Sequence, residues 1–175
     1  YVNTASQIIC RVASRNPGES WDENLLVERL DQALALRKRI LPSGTDCIRL
    51  INSEGDGLPG IVVDRYGAGL VVELNTAGAV SLREALTRLL VDRLRPDFIF
   101  ENSSGPLRAE EGLAEEKGPL FGECPGTVTV SENSHRFQVN PSRGQKTGFF
   151  IDQRDNRSLA ARWMPQGGRA LNLFC

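Results

Sequence analysis

Two stretches of this chain place apolar residues at helical spacing. Leu26, Leu30, Ala33, Leu34 and Leu41 share one stripe behind a Ser20–Glu23 pair with capping-box spacing, so residues 21–41 are predicted as one amphipathic helix ending at Pro42-Ser43-Gly44. Leu82, Leu86, Leu89, Leu90 and Leu94 form a second stripe, with Ser81 and Glu84 as its capping pair and Pro96 beyond its end. Elsewhere the pattern is that of strands, at 47–53, 60–66, 69–75 and 97–101, with Gly67-Ala68 turning the second into the third. Residues 127–131 and 135–140 alternate as another hairpin, turning at Glu132-Asn133-Ser134. Residues 1–15 read as strand-like with Ser, Asn and Thr turn signals, and 16–19 as a loop. The polar, charged, Gly- and Pro-bearing run from Asn102 to Gly122 reads as one long loop. An apolar strand is predicted from Arg169 to Cys175. Helices and hairpins in this order give an α+β fold, with a mixed sheet.

Composition narrows the chemistry. With 175 residues, 40% of them hydrophobic and 25% charged, the chain can bury the core of one domain or slightly more. A net charge of −1 supplies no global basic field, so any nucleic-acid contact has to be local. No apolar run reaches the ~18 residues of a membrane span, and no secretion signal opens the chain, so a cytoplasmic protein is expected. Cys10, Cys47, Cys124 and Cys175 are scattered without a Cys-x-x-Cys pair, and His135 is the only histidine. That pattern predicts neither a metal site nor a structural disulfide.

The turn from Ser53 to Gly60 carries Glu54 and Asp56, but two loop carboxylates without a donor or base form no recognisable catalytic pair, and its glycines suit a tight turn. The segment from Arg143 to Arg157 is richer. Gly144 and Gly148 flank Gln145, Lys146 and Thr147, a composition that lets backbone amides and a lysine approach a polar ligand. It is not a P-loop, which needs Gly directly before Lys and another Gly five positions earlier, where this chain has Gln145 and Asn140. Phe149 and Phe150 offer aromatic surface, one of them to the core, and Asp152 is placed to cap a following helix. On that helix Gln153 and Arg157, and Arg154 and Arg157, share one polar face.

The run Gly144-Gln-Lys-Thr-Gly-Phe-Phe-Ile-Asp-Gln-Arg-Asp-Asn-Arg157, with the strand Arg169–Cys175, resembles the signature of the RlmI-like S-adenosylmethionine-dependent ribosomal RNA methyltransferases. Residues 49–66, 108–113 and 118–122 are similar to that family's central domain, and 1–12 to the last strands of its PUA domain. The resemblance implies a PUA remnant at 1–20, a linker helix at 21–45, a central EEHEAD-like α+β domain at 46–142, and the first elements of a Rossmann-like methyltransferase domain at 143–175. It implies S-adenosylmethionine as cofactor, bordered by Gln145, Lys146, Thr147, Phe149, Asp152, Arg154, Asn172, Phe174 and Cys175. Arg108, Arg143 and Arg157 are the residues expected to face RNA.

The implied reaction makes 5-methylcytosine in large-subunit ribosomal RNA. A thiolate adds to carbon 6 of the ring, carbon 5 takes the sulfonium methyl group, and a base removes the carbon 5 proton. Cys175 closes the first strand of the methyltransferase sheet, a place that suits the cofactor pocket better than the nucleophile. Because the sequence stops inside that strand, the chain is expected to be part of a longer protein, to bind the cofactor weakly alone and to hold no catalytic residue. Two other readings stay open: a non-catalytic RNA-binding or adaptor module, and a methyltransferase of the same architecture acting on transfer RNA or another base. A homodimer also stays open.

Overall fold

The computed structural model describes residues 1–144, 147–169 and 171. Five helices and seven strands are found among them: α1 Glu23–Ile40, β1 Cys47–Asn52, β2 Ile61–Tyr66, β3 Gly69–Leu74, α2 Ala77–Ser81, α3 Arg83–Leu94, β4 Phe98–Ser103, α4 Pro106–Glu110, β5 Glu116–Phe121, β6 Val128–Glu132, β7 His135–Val139 and α5 Arg154–Trp163. The first five strands form one sheet in the order β1-β2-β3-β4-β5, and β6 and β7 form a separate hairpin. Every pairing in the large sheet is antiparallel except β3 with β4. A parallel pair needs a crossover, and α2 with α3 provides it.

Alternation along β1, β2 and β3 sorts side chains to two faces. On one face Ile48, Leu50, Ile61, Val63, Leu70, Val72 and Leu74 meet Leu26, Leu30 and Ala33 of α1 and Leu86, Leu89 and Leu90 of α3 in a single apolar core. The helix expected to be a linker is therefore half of that core's wall. On the other face Cys47, Tyr66 and Val71 pack against Val130 and Val139 of the hairpin, with Phe137, Phe149 and Ile151 at the margin. The hairpin turns at Asn133 and Ser134, both at positive φ (50° and 66°), the combination a two-residue type I′ turn requires.

Several boundaries differ from the sequence expectation. Asp22, not Ser20 with Glu23, caps α1, accepting from the amides of Asn24 and Leu25 at 3.0 and 3.2 Å. Thr76 caps an unpredicted short helix, α2, and α3 starts without any side-chain cap, so the Ser81–Glu84 box does not form. The run read as one long loop contains the end of β4, all of α4 and the edge strand β5.

Residues 1–15 form no strand pair beyond one isolated bridge, Val2 with Cys10. They are held instead by side chains. Buried Glu111 accepts from Asn3 Nδ2 (3.0 Å), Ser6 Oγ (2.8 Å), Arg11 Nη2 (2.8 Å) and the Ala77 amide (3.3 Å). Burial alone would raise this carboxyl; the hydrogen bonds from Arg11, Asn3, Ser6 and Ala77 reverse that and hold it down at about 2. Tyr1 donates to Thr76 Oγ1 at 2.8 Å, and Trp21 to the Gly78 carbonyl at 2.8 Å.

Candidate functional site

The segment that follows β7 folds over the hairpin side of the sheet. Asn140 organises its start: its Oδ1 accepts from the amide and hydroxyl of Ser142 and the amide of Arg143, and its carbonyl accepts from Gly144. A Cβ on Gly144 would stand 2.4 Å from Gly148 Cα, so the two glycines cross too closely for any side chain. The amides of Arg143 and Gly144 are thus used inside the turn. Gly144 and Gly148 serve the loop's own fold here.

Thr147 anchors the loop's far end. Its hydroxyl is buried against Asp64 Oδ2 (2.5 Å) and the Tyr66 hydroxyl (2.8 Å), both on the sheet. Asp64 in turn accepts from Arg49 Nε and Nη2 at 2.8 and 2.9 Å. Burial, reinforced by the Asp64 carboxylate, raises the Tyr66 phenol, so it stays a neutral hydroxyl. Cys47 on the same face is pushed up to about 11 by burial and the nearby Glu132 and Asp46 carboxylates. A thiol held that way is protonated near neutrality and no nucleophile.

A second anchor ties α5 to the hairpin. Arg157 donates to both oxygens of Glu132 at 2.7 and 2.6 Å and to the Phe150 carbonyl at 2.9 Å. Its guanidinium lies 4.5 Å from the Phe149 ring centroid, and that ring packs on Phe137 with centroids 5.2 Å apart. Glu132 is only 3% exposed, so this is a desolvated, bidentate pair. α5 begins at Arg154 with Gln153 at its cap and no side-chain cap bond, so Asp152 does not cap it. Asp152 lies instead in a short 3-10 turn, Ile151–Gln153.

Between α1, β1 and this turn runs a groove of ≈ 360 Å³. Ile48, Phe149 and Ile151 supply apolar wall, and Arg37, Arg49, Asn52, Asp152 and Arg154 supply polar rim. Arg37 is held by Asp56 through two contacts of 2.5 and 2.6 Å, which gives that carboxylate of the Ser53–Gly60 turn a structural partner. Among the described residues no cluster of His, Cys, Asp and Glu could hold a metal ion, and no helix is long and apolar enough to cross a membrane.

The residues singled out from sequence therefore separate. Phe149, Asp152 and Arg154 meet at the groove; Thr147 lies beneath the loop as an anchor. Gln145, Lys146, Asn172, Phe174 and Cys175 lie outside the described residues. Arg143 is exposed, as a ligand-facing residue must be. Arg108 is not: it is 3% exposed and donates to the backbone carbonyls of Leu74 and Ala114, so its guanidinium crosslinks β3 to the segment after α4 instead of facing RNA. Arg157 likewise turns to Glu132 and Phe150. Sequence reasoning missed Asp64, Arg49 and Glu132, because a charged residue in an alternating strand reads as the solvated face.

Comparison with known proteins fits this architecture. The chain is 39% identical over 173 residues, 98% of its length, to a ribosomal RNA large subunit methyltransferase I from Shewanella amazonensis. It is 41% identical to the protein of that name from Alteromonas mediterranea and 40% identical to that from Escherichia coli, over 97% of its length in each case. It spans 43% of the length of each of these relatives. No family model matches. Among solved structures, a candidate S-adenosylmethionine-dependent methyltransferase from Streptococcus mutans superposes with a TM-score of 0.70 at 20% identity, over 85% of this chain and 38% of that one. A second candidate methyltransferase, solved with S-adenosylhomocysteine bound, gives 0.67 at 22% identity over 79% of this chain and 35% of its own. At such identities the superpositions establish the fold alone.

Proposed function

We propose, for a chain that is a homologue of the ribosomal RNA large subunit methyltransferase I family along nearly its whole length, that the parent protein is an S-adenosylmethionine-dependent methyltransferase forming 5-methylcytosine in large-subunit ribosomal RNA. The observation that carries this reading is the 39–41% identity over 97–98% of the chain. In this reading residues 1–20 are the end of a PUA domain, α1 leads into the central domain at 46–142, and 143–175 opens the methyltransferase domain. The two anchors described above support a positioning role for the segment after β7.

The groove suits part of such a cofactor. Asp152 offers an acceptor to an amino or hydroxyl group, Phe149 and Ile151 offer apolar wall, and ≈ 360 Å³ is at the small end of ligand sites. Gln145, Lys146, Asn172, Phe174 and Cys175 complete the proposed cofactor set. When bound, the cofactor supplies an electrophilic methyl group; Thr147 and Arg157 hold the loop and helix that face it. Lys146 and Arg154 engage either the cofactor or the RNA, and Arg143 the RNA.

The test is methyl transfer by the full-length protein from isotopically labelled S-adenosylmethionine to large-subunit ribosomal RNA, with the labelled nucleotide identified by mass spectrometry. Label on cytosine carbon 5 is expected. Label confined to transfer RNA or to another atom would move the target. Absence of any transfer, with the cofactor shown to bind, would favour a non-catalytic RNA-binding module.

A further inference from the structure

Arg49 and Asp64 stand directly opposite each other on β1 and β2, and alternation puts both on the face of the sheet that carries Tyr66. Around them that face is apolar, with Cys47, Val71, Val130 and Val139 packed together. Backbone pairing already joins the two strands, so the ion pair is not needed to hold them side by side. Nor is it a strong source of stability. The Asp64 side chain is only 1% exposed, and the cost of desolvating such a pair offsets most of its attraction, so apolar residues of similar volume serve as well. What a buried carboxylate does supply is direction, because it rejects any arrangement that leaves an oxygen without its donor.

Those directions lead to the two walls of the groove. On the β1 side Arg49 gives Nε and Nη2 to Asp64, while its Nη1 lies 3.5 Å from Asn52 Oδ1, and Arg49 and Asn52 both line the groove. On the other side Thr147 gives its single proton to Asp64 Oδ2, so the Tyr66 hydroxyl donates to Thr147. Two residues further on, Phe149 enters the opposite wall, followed by Ile151, Asp152 and Arg154. Asp64 Oδ2 therefore bonds both sides, taking Arg49 Nη2 from one and the Thr147 hydroxyl from the other. The second anchor does not do this. Glu132 and Arg157 fix α5 to β6, and neither lines the groove.

Resting on the reading that this groove takes part of the cofactor, we infer that Asp64 is a positioning residue: it ties the two walls together beneath the groove and so sets its width. Arg49 is its link to β1, and Thr147 its link to the segment before α5. Fully buried, Asp64 touches no ligand itself and acts only through these two partners. A ligand that spans the walls then meets them at their bound separation, and less of its binding free energy goes into ordering the segment. The central sheet is thereby a working part of the cofactor site and not only its support.

The experiment removes both charges together in the full-length protein. Arg49→Met with Asp64→Val strands neither partner, so the thermal midpoint should stay near that of wild type. Calorimetric affinity for S-adenosylhomocysteine should nonetheless fall about tenfold, the scale of one charge-assisted tie. In the free protein, amide exchange at Ile151 and Gln153, whose amides close the turn before α5, should rise by more than any change in midpoint explains. Arg83→Met with Glu101→Leu is the control, a second buried carboxylate paired with arginine but between α3 and β4; it should leave the affinity within about twofold of wild type. Should the first double variant fail to fold, Arg49→Lys keeps a charge beside Asp64 and gives up the fork, with a loss of about threefold expected by the same two measurements. Wild-type affinity in the Arg49 variants overturns the inference, and so does an equal fall in the control. Lower affinity with exchange at Ile151 and Gln153 unchanged also overturns it, because Arg49 then acts by touching the cofactor and not through Asp64. Failure of the wild type to bind S-adenosylhomocysteine removes the cofactor reading and this inference with it.

Discussion

On one face of the sheet Leu26, Leu30, Leu86 and Leu90 close against β1, β2 and β3 in a large apolar core, with polar contacts such as Arg37 to the Arg49 carbonyl and Arg83 to Glu101 only at its margin, whereas on the other face a smaller apolar cluster is crossed by Arg49–Asp64–Thr147–Tyr66 and Glu132–Arg157. Apolar packing is non-directional and tolerates small slips, so it holds helices on a sheet without dictating the place of any single atom. A desolvated hydrogen-bonded pair has the opposite character. It contributes little net stability but fixes distance and angle, and it penalises any arrangement that leaves one partner unpaired. The helix side therefore makes the fold, and the hairpin side sets the position of the segment after β7. That division is what a site needs: a rigid body behind and a located loop in front.

The comparison breaks most visibly if the helix side is weakened. Leu90 is fully buried between α3 and the sheet, and Leu90→Ala removes its packing and leaves a cavity. The expected cost is about 2–5 kcal/mol, read as a lower denaturation midpoint. Amide exchange in the loop at Arg143 and Gly144 should accelerate only by as much as global unfolding does. Selective loosening of that loop would show that the two faces are coupled.

A next-largest effect separates polar from apolar closure by pH. Glu111 is held at about 2 against an ordinary 4.5, so its folded-state value is depressed. The sign follows: the stabilisation is present above the unfolded value and is lost as pH falls from 4.5 toward 2. The shift corresponds to about 3 kcal/mol, carried by a carboxylate almost without solvent exposure. Urea denaturation from pH 6 down to pH 2 should show this loss, and Glu111→Gln should flatten that part of the curve. An unaltered acid slope in the variant would mean that other carboxylates dominate, and that the N-terminal segment is held by Tyr1 and Trp21 instead.

What could be read in the sequence was the local part. Leucines at helical spacing located α1 and α3, and the alternation of 127–131 and 135–140 located the hairpin to within a residue or two. Cap choice failed where Ser20, Asp22 and Glu23 all compete for one helix start, a matter of backbone geometry that composition does not decide. β5 was missed because Glu116-Lys-Gly-Pro-Leu-Phe121 has no alternation and Phe121 as its sole strand former; it is an edge strand, where lysine and proline are tolerated. Arg108 was misplaced because its acceptor, the Leu74 carbonyl, lies 34 positions away, and no local pattern records such a contact. The same holds for Thr147: its value as a site residue was visible, but its partner Asp64 is 83 positions distant. Site chemistry was legible as residue types, and its division into anchors and groove was not.

The smallest expected effect is the sharpest test of the comparison. Thr147→Val keeps the shape of a side chain that is buried between Asp64 and Tyr66 while removing the hydroxyl that joins them. Asp64 keeps both contacts from Arg49, and among the described residues the Tyr66 hydroxyl is left with the Phe149 carbonyl at 3.5 Å. Global stability should therefore fall by about 1–2 kcal/mol, the cost of one buried hydrogen bond to a partly satisfied pair. The informative quantity is where the change appears. If directional bonds locate the segment after β7, amide exchange at Arg143 and Gly144 should rise by more than the global loss accounts for, while amides in α1 and α3 follow the global loss alone. S-adenosylhomocysteine affinity of the full-length protein should weaken with the loop. A uniform rise across helices and loop would mean that Thr147 is ordinary core, and that the Glu132–Arg157 pair alone holds the segment in place.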